Sequence, residues 1–173
     1  MNYVYLKPEL ENLSQGERIS FARQMRRMTQ DEVSEKLGLT GECKRRSMTR
    51  YERGDRIPKE DRLLEIAKIL NVNVNAIKSY DYINPNDLIY INIWMEELIP
   101  GYKIDLDTLD KTWFDSVKYL KLFVRDWKEM NQKLENKEIS LKEYIEWKLN
   151  TDVTDLEKNK TINKTNISIE QER

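Results

Sequence analysis

Ser14-Gln15-Gly16-Glu17, Thr29-Gln30-Asp31-Glu32 and Ser140-Leu141-Lys142-Glu143 share one pattern, a hydroxyl residue with glutamate three positions on. The hydroxyl can accept from the N–H three residues ahead while the glutamate reaches back to the N–H of the hydroxyl residue. This reciprocal cap starts an α-helix. Gly38, Gly54 and Asn71 supply stops after the first two starts, Gly38 as a left-handed residue just past its helix. Starts and stops this close constrain the first half to short helices joined by tight turns. The expected helices run from Gly16 to Arg27, from Thr29 to Gly38 and from Arg45 to Arg53. A fourth has Pro58 at its first position and ends at Asn71, and a short fifth spans about Val74 to Ser79 behind Asn73 as cap. Ile19, Ala22 and Met25 should face inward from the first helix, Val33 and Leu37 from the second, and Leu63, Leu64, Ile66, Ala67, Ile69 and Leu70 from the fourth.

The second half also reads as helical. Leu88, Ile91, Trp94, Met95 and Leu98 have helical spacing up to Pro100-Gly101. Leu109 to about Leu134 is expected to be one long helix, with Trp113, Val117, Leu120, Val124, Trp127 and Leu134 on a heptad-type stripe interrupted at Asn131. That stripe suits either an intramolecular core or a dimer seam. A last helix follows Ser140 through Tyr144, Ile145, Trp147 and Leu149. From Thr151 on, the chain is polar and rich in Asn, Lys and Thr, which predicts a disordered tail. The fold class is therefore all-α, with a five-helix domain over residues 14–79, a small helical domain over 80–150, and a tail over 151–173.

Charge separates the two halves. Residues 15–78 carry 15 Lys and Arg against 10 Asp and Glu, whereas residues 79–173 carry 14 against 19. A basic first half points to a polyanion as partner. The chain has no histidine and one cysteine. Zinc fingers, histidine-based triads and an internal disulfide framework are excluded on that count. With no Gly-rich phosphate loop either, an enzyme is not expected and no cofactor is implied. No apolar run approaches the ~18 residues of a membrane span, and no secretion signal is read at the start, so a cytoplasmic protein is expected. Glu96-Glu97 and the other carboxylates of the second half read as solvated helix faces.

The stretch from Thr29 to Gly54 carries the function. Two helices meet through a turn, and the second sets Arg45, Arg46, Ser47, Thr49 and Arg50 around Met48. A recognition helix needs such an arrangement. Its inner face packs on the domain, and its outer face offers arginine and hydroxyls to the major groove. Arg23, Thr29-Gln30-Asp31-Glu32, Leu37-Gly38-Leu39-Thr40, Ser47-Met48-Thr49-Arg50-Tyr51-Glu52-Arg53-Gly54, Pro58 and Ile66-Ala67-Lys68-Ile69-Leu70 together resemble the lambda-repressor-like helix-turn-helix family, also called the xenobiotic-response-element family. The resemblance covers about Ser14 to Ser79. It implies transcription control by dimers on paired half-sites of double-stranded DNA.

By that resemblance, Gln30 contacts a phosphate, while Arg45, Arg46 and Thr49 fall on base-reading positions. Arg50 falls on a phosphate or a base, and Lys44 and Ser47 join the DNA-binding set. Arg23 and Glu52 fall on a structural salt bridge. The loop through Gly41-Glu42-Cys43-Lys44 is about four residues longer than in the family, which leaves the register of Arg45 and Arg46 open by a position or two. Cys43 lies beside three cations, so a redox switch is one reading; a tolerated loop cysteine is the simpler one. Glu143-Tyr144-Ile145-Glu146-Trp147-Lys148 is similar to a short motif in regulators of Gram-positive phages and conjugative elements. The expected function is thus a sequence-specific repressor of a mobile element, acting on its own promoter as a homodimer. The alternative is a bifunctional autoregulator whose helical second domain inhibits a host protein, in the manner of antitoxins or anti-CRISPR proteins.

Overall fold

A computed structural model describes residues 7–39, 41, 43–80, 85–103 and 118–152; the side chains of 43–45, 85–86 and 118–121 are not among those described. Within these residues the protein is all-helical. The helices are α1 (Gln15–Met25), α2 (Gln30–Lys36), α3 (Cys43–Glu52), α4 (Glu60–Leu70), α5 (Val74–Ile77), α6 (Pro85–Leu98), α7 (Lys118–Glu135) and α8 (Leu141–Asn150). The Thr29 and Ser140 boxes form in full, with the hydroxyl accepting from the third residue and Glu32 and Glu143 reaching back. At Ser14 only half of the box forms, where the side chain accepts from Glu17 N–H at 3.3 Å. Gly38 and Gly54 have φ of +71° and +76°, and Asn71 caps α4 in the left-handed region.

The starts of two helices differ from expectation. α3 begins at Cys43, so Cys43 and Lys44 belong to its first turn and not to a loop. α4 begins at Glu60 behind Lys59, because Pro58 is buried just outside the helix instead of opening it. Of the expected core, Ile19, Ala22, Met25, Val33, Leu63, Ile66 and Leu70 are buried, but Leu64 is 48% exposed. On α6 the buried stripe is Ile89, Tyr90, Ile93 and Trp94, with Leu88 and Ile91 only half-covered. This helix is apolar nearly all round from Leu88 to Trp94, so spacing alone did not single out its inner face.

The halves share one apolar core. Phe21 of α1 meets Trp94 of α6 edge to face at 5.2 Å between ring centroids, and the Trp94 indole N–H donates to the Ala76 carbonyl at 2.9 Å. Arg26, which ends α1, donates to the Asn71 carbonyl at 2.8 Å and pairs with Glu146 of α8. The Asn73 N–H donates to the Leu149 carbonyl at 3.0 Å and its amide to the Thr151 carbonyl at 3.2 Å. Val124 and Trp127 of the expected heptad stripe are buried inside this single chain, and Trp127 donates to the Tyr144 hydroxyl at 2.7 Å. Phe123, which lies off that stripe, is buried as completely. The described part of the stripe is therefore internal core; Trp113 and Val117 lie outside the described residues, as does the Leu120 side chain. The expected tail lies outside them from residue 153 on.

Glu96 and Glu97 are not solvated faces. Lys148 of α8 is 2% exposed and inserts between them, 2.8 Å from Glu96 Oε2 and in contact with Glu97. Lys7 reaches Glu97 from the other side at 2.8 Å, and the Lys148 ammonium stands 4.7 Å from the Tyr144 ring centroid. A buried ammonium needs such partners. Burial raises the Glu97 pKa, but the Lys148 charge and the hydrogen bonds from Lys148 and Lys7 outweigh it and hold the carboxyl below its ordinary range.

Candidate nucleic-acid interface

The interface is built on α2 and α3. The inner side of α3 holds Met48, fully buried, and Tyr51, 6% exposed, in the same core as Ile19, Ala22 and Val33. That packing fixes which side of the helix meets solvent. Arg46 and Arg50 are exposed one turn apart, and Arg53 continues the row just past the helix. Ser47 and Thr49 are half-buried on its flanks. The side chains of Lys44 and Arg45 lie outside the described residues, so their expected roles rest on sequence. Arg53 was absent from the expected contact set. Its signal was the spacing of four and three residues from Arg46 through Arg50, which continues one helical face.

A hydrogen-bonded chain runs behind this face. Arg23 of α1 grips Glu52 with two bonds, Nε to Oε1 at 2.6 Å and Nη2 to Oε2 at 2.8 Å, and donates a third to the Met28 carbonyl at 2.7 Å. The pair is largely covered, with 13% and 6% of the two side chains exposed. The Gln30 amide nitrogen donates to Glu52 Oε2 at 2.8 Å, and the Thr49 hydroxyl donates to the Gln30 amide oxygen at 2.8 Å. The structure thus brings together four of the residues that the sequence singles out, and links the start of α2 to the middle of α3.

Two local features hold α1 and α2 in position. Gly16 packs so closely on the end of α3 that a Cβ there would lie 2.2 Å from the Glu52 carbonyl oxygen. Glu32 caps α2, and its backbone and side-chain hydrogen bonds with Thr29 hold its carboxyl below the ordinary range. Among the described residues, Arg46, Arg50 and Arg53 form no ion pair with a carboxylate, and no group of His, Cys, Asp and Glu side chains is placed to hold a metal. No described helix is long and apolar enough to cross a membrane.

No curated protein and no solved structure matches the chain. Within the first half, residues 16–80, which take in α2 to α5 and nearly all of α1, match the model of a helix-turn-helix domain.

Proposed function

We propose that the protein is a sequence-specific DNA-binding transcriptional regulator, a repressor of its own promoter in a mobile element, that binds paired half-sites of duplex DNA as a homodimer in the cytoplasm. The observation that carries the reading is the row Arg46, Arg50 and Arg53. Arg46 and Arg50 stand exposed on a helix whose opposite side is locked into the core, Arg53 continues their row just past its end, and no carboxylate of the described residues neutralises them. Guanidinium groups so held match both phosphate oxygens and the O6 and N7 of guanine. Lys44 and Arg45 precede them at the start of α3, where a recognition helix meets base edges. The dimer belongs to this reading through the resemblance and through the symmetry of paired half-sites. Its interface does not include Trp127, which the chain itself buries.

The test is a titration of the full chain against fragments of its source genome at several salt concentrations. If each half-site neutralises about four phosphates, the slope of log affinity against log salt is expected near about −7 for the dimer. Binding that does not change between low and physiological salt defeats the reading. Arg46→Ala should cost about 1–3 kcal/mol on the selected site and much less on random DNA.

A further inference from the structure

The ion pairs between α6 and α8 alternate in sign. Lys7 meets Glu97, Glu97 meets Lys148, and Lys148 meets Glu96 at 2.8 Å. Glu97 has a cation on each side, whereas Glu96 has one on a single side. Glu96 also keeps 17% of its side chain exposed, against 6% for Glu97. The other donor to Glu96 is the Tyr144 hydroxyl, 2.9 Å from both carboxylate oxygens. Burial and the Glu96 charge raise the Tyr144 pKa, so this phenol stays protonated and has a single hydrogen to give. Its oxygen in turn accepts from the Trp127 indole at 2.7 Å. A carboxylate offers about four acceptor positions. Lys148 and Tyr144 leave part of that capacity unfilled, and no other donor among the described residues reaches Glu96.

Glu96 also lines a cavity. A cleft of about 320 Å³ lies between the end of α6 and α7 and reaches down to Val124 and Trp127. At its edge Lys103 and Glu135 neutralise each other at 3.4 Å. The volume suits a small organic molecule. We propose that this cavity binds a small organic amine as its cation. The ammonium meets Glu96, as the next charge in the series Lys7, Glu97, Lys148, Glu96, and the apolar body lies along α7. An ammonium carries donors only, which matches a carboxylate with acceptor positions to spare. An alcohol of the same shape makes one weaker bond, and a carboxylic acid brings a like charge. Lys128, exposed on the rim, is the chain's own rival for that place. Nothing in this inference depends on DNA reading by α3.

The experiment is a calorimetric titration of the full chain at neutral pH and millimolar ligand. The probes are butylamine and 2-phenylethylamine, with the alcohol and the carboxylate of like size as controls. At least one amine should bind about tenfold or more tighter than its alcohol, the worth of a hydrogen bond to a charged group, and the carboxylates should not bind. The Trp127 indole N–H resonance should shift with the amine, because that group donates to Tyr144 beside the site. Glu96→Gln leaves Glu97 to Lys148 and an acceptor to Tyr144; it should weaken the amine by about tenfold or more and leave the alcohol unchanged. Gln132→Arg sets a resident cation at an exposed position of the rim and should weaken the amine likewise. It keeps the test in force if Glu96→Gln melts below the assay temperature. Equal affinities for amine and alcohol, or amine binding that neither variant alters, overturn the inference. So does a wild type that takes up neither amine; if Lys128→Gln then binds one, Lys128 itself fills the place.

Discussion

Glu52 accepts hydrogen bonds from Nε and Nη2 of Arg23 and from the Gln30 amide, so removing it strands three donor groups. Because the pair is nearly covered, Glu52→Ala is expected to cost about 3 kcal/mol, in the range for breaking a buried ion pair. Thermal melts of Glu52→Ala, Arg23→Ala and the double variant check this; losses that simply add would mean that the two side chains do not interact. Gly16 gives a second residue-scale expectation. The atoms that a Cβ would strike are the carbonyls of Tyr51 and Glu52, which are backbone and cannot swing aside. Gly16→Ala should therefore lower stability by about 1–3 kcal/mol through overpacking, although alanine favours helices, with a lower denaturant midpoint as the measure. Nothing near Gly16 in the chain signals this, since the obstructing carbonyls lie 35 or more residues away and meet it only through folding. The Gln30–Thr49 bond is hidden for the same reason. Sequence marks both residues as polar, but their bond depends on α2 folding against α3 with Arg23 and Glu52 standing behind them.

Elements were easier to read than their faces. The capping boxes at Thr29 and Ser140 and the left-handed residues Gly38, Gly54 and Asn71 act within one turn, so their effect is visible in a short window of sequence. The inner face of α6 and the surroundings of α7 depend on what packs against them, and there local spacing was ambiguous. Val124 and Trp127 have the period of a pairing helix, yet α8 covers them: Trp127 bonds Tyr144, and Phe123 stacks on Trp147 at 5.9 Å between centroids. Trp127→Glu should consequently unfold the second half instead of releasing folded monomers, because it buries a charge without a partner. Near-ultraviolet circular dichroism and a sizing column separate these outcomes; a folded monomer with native aromatic signals would return α7 to the role of dimer seam.

One core runs through the molecule as a whole, since Phe21, Ala76 and Ile77 share it with Trp94 and Leu149. A fragment ending at residue 80 should bare that surface and melt well below the full chain, which a scanning calorimeter can show; an equal melting temperature would make the first half self-sufficient. The Lys148 cluster adds a pH dependence. The Lys148 and Lys7 contacts hold the folded Glu97 carboxyl below the ordinary carboxylate range, so its contribution is complete above that range and is lost as the pH falls through the lowered pKa. Glu97→Gln should lessen the loss of stability on going from neutral pH to about pH 2 relative to the wild type, with the difference concentrated below the ordinary carboxylate range. An unchanged pH profile would mean that Lys148 does not depend on Glu97.

The bonds from Asn73 to Leu149 and Thr151 also bear on the order in which the protein is made. Asn73 and Thr151 are 78 positions apart, and at about 5–20 residues per second a ribosome needs roughly 4–16 s to travel between them. Throughout that interval the nascent chain holds α1 to α5 without α8, and Asn73 and Arg26 lack the partners that α8 and the residue after it supply. The last helix to leave the ribosome among those described is thus also the clasp of the first five, and a translational pause before it would prolong the half-clasped state.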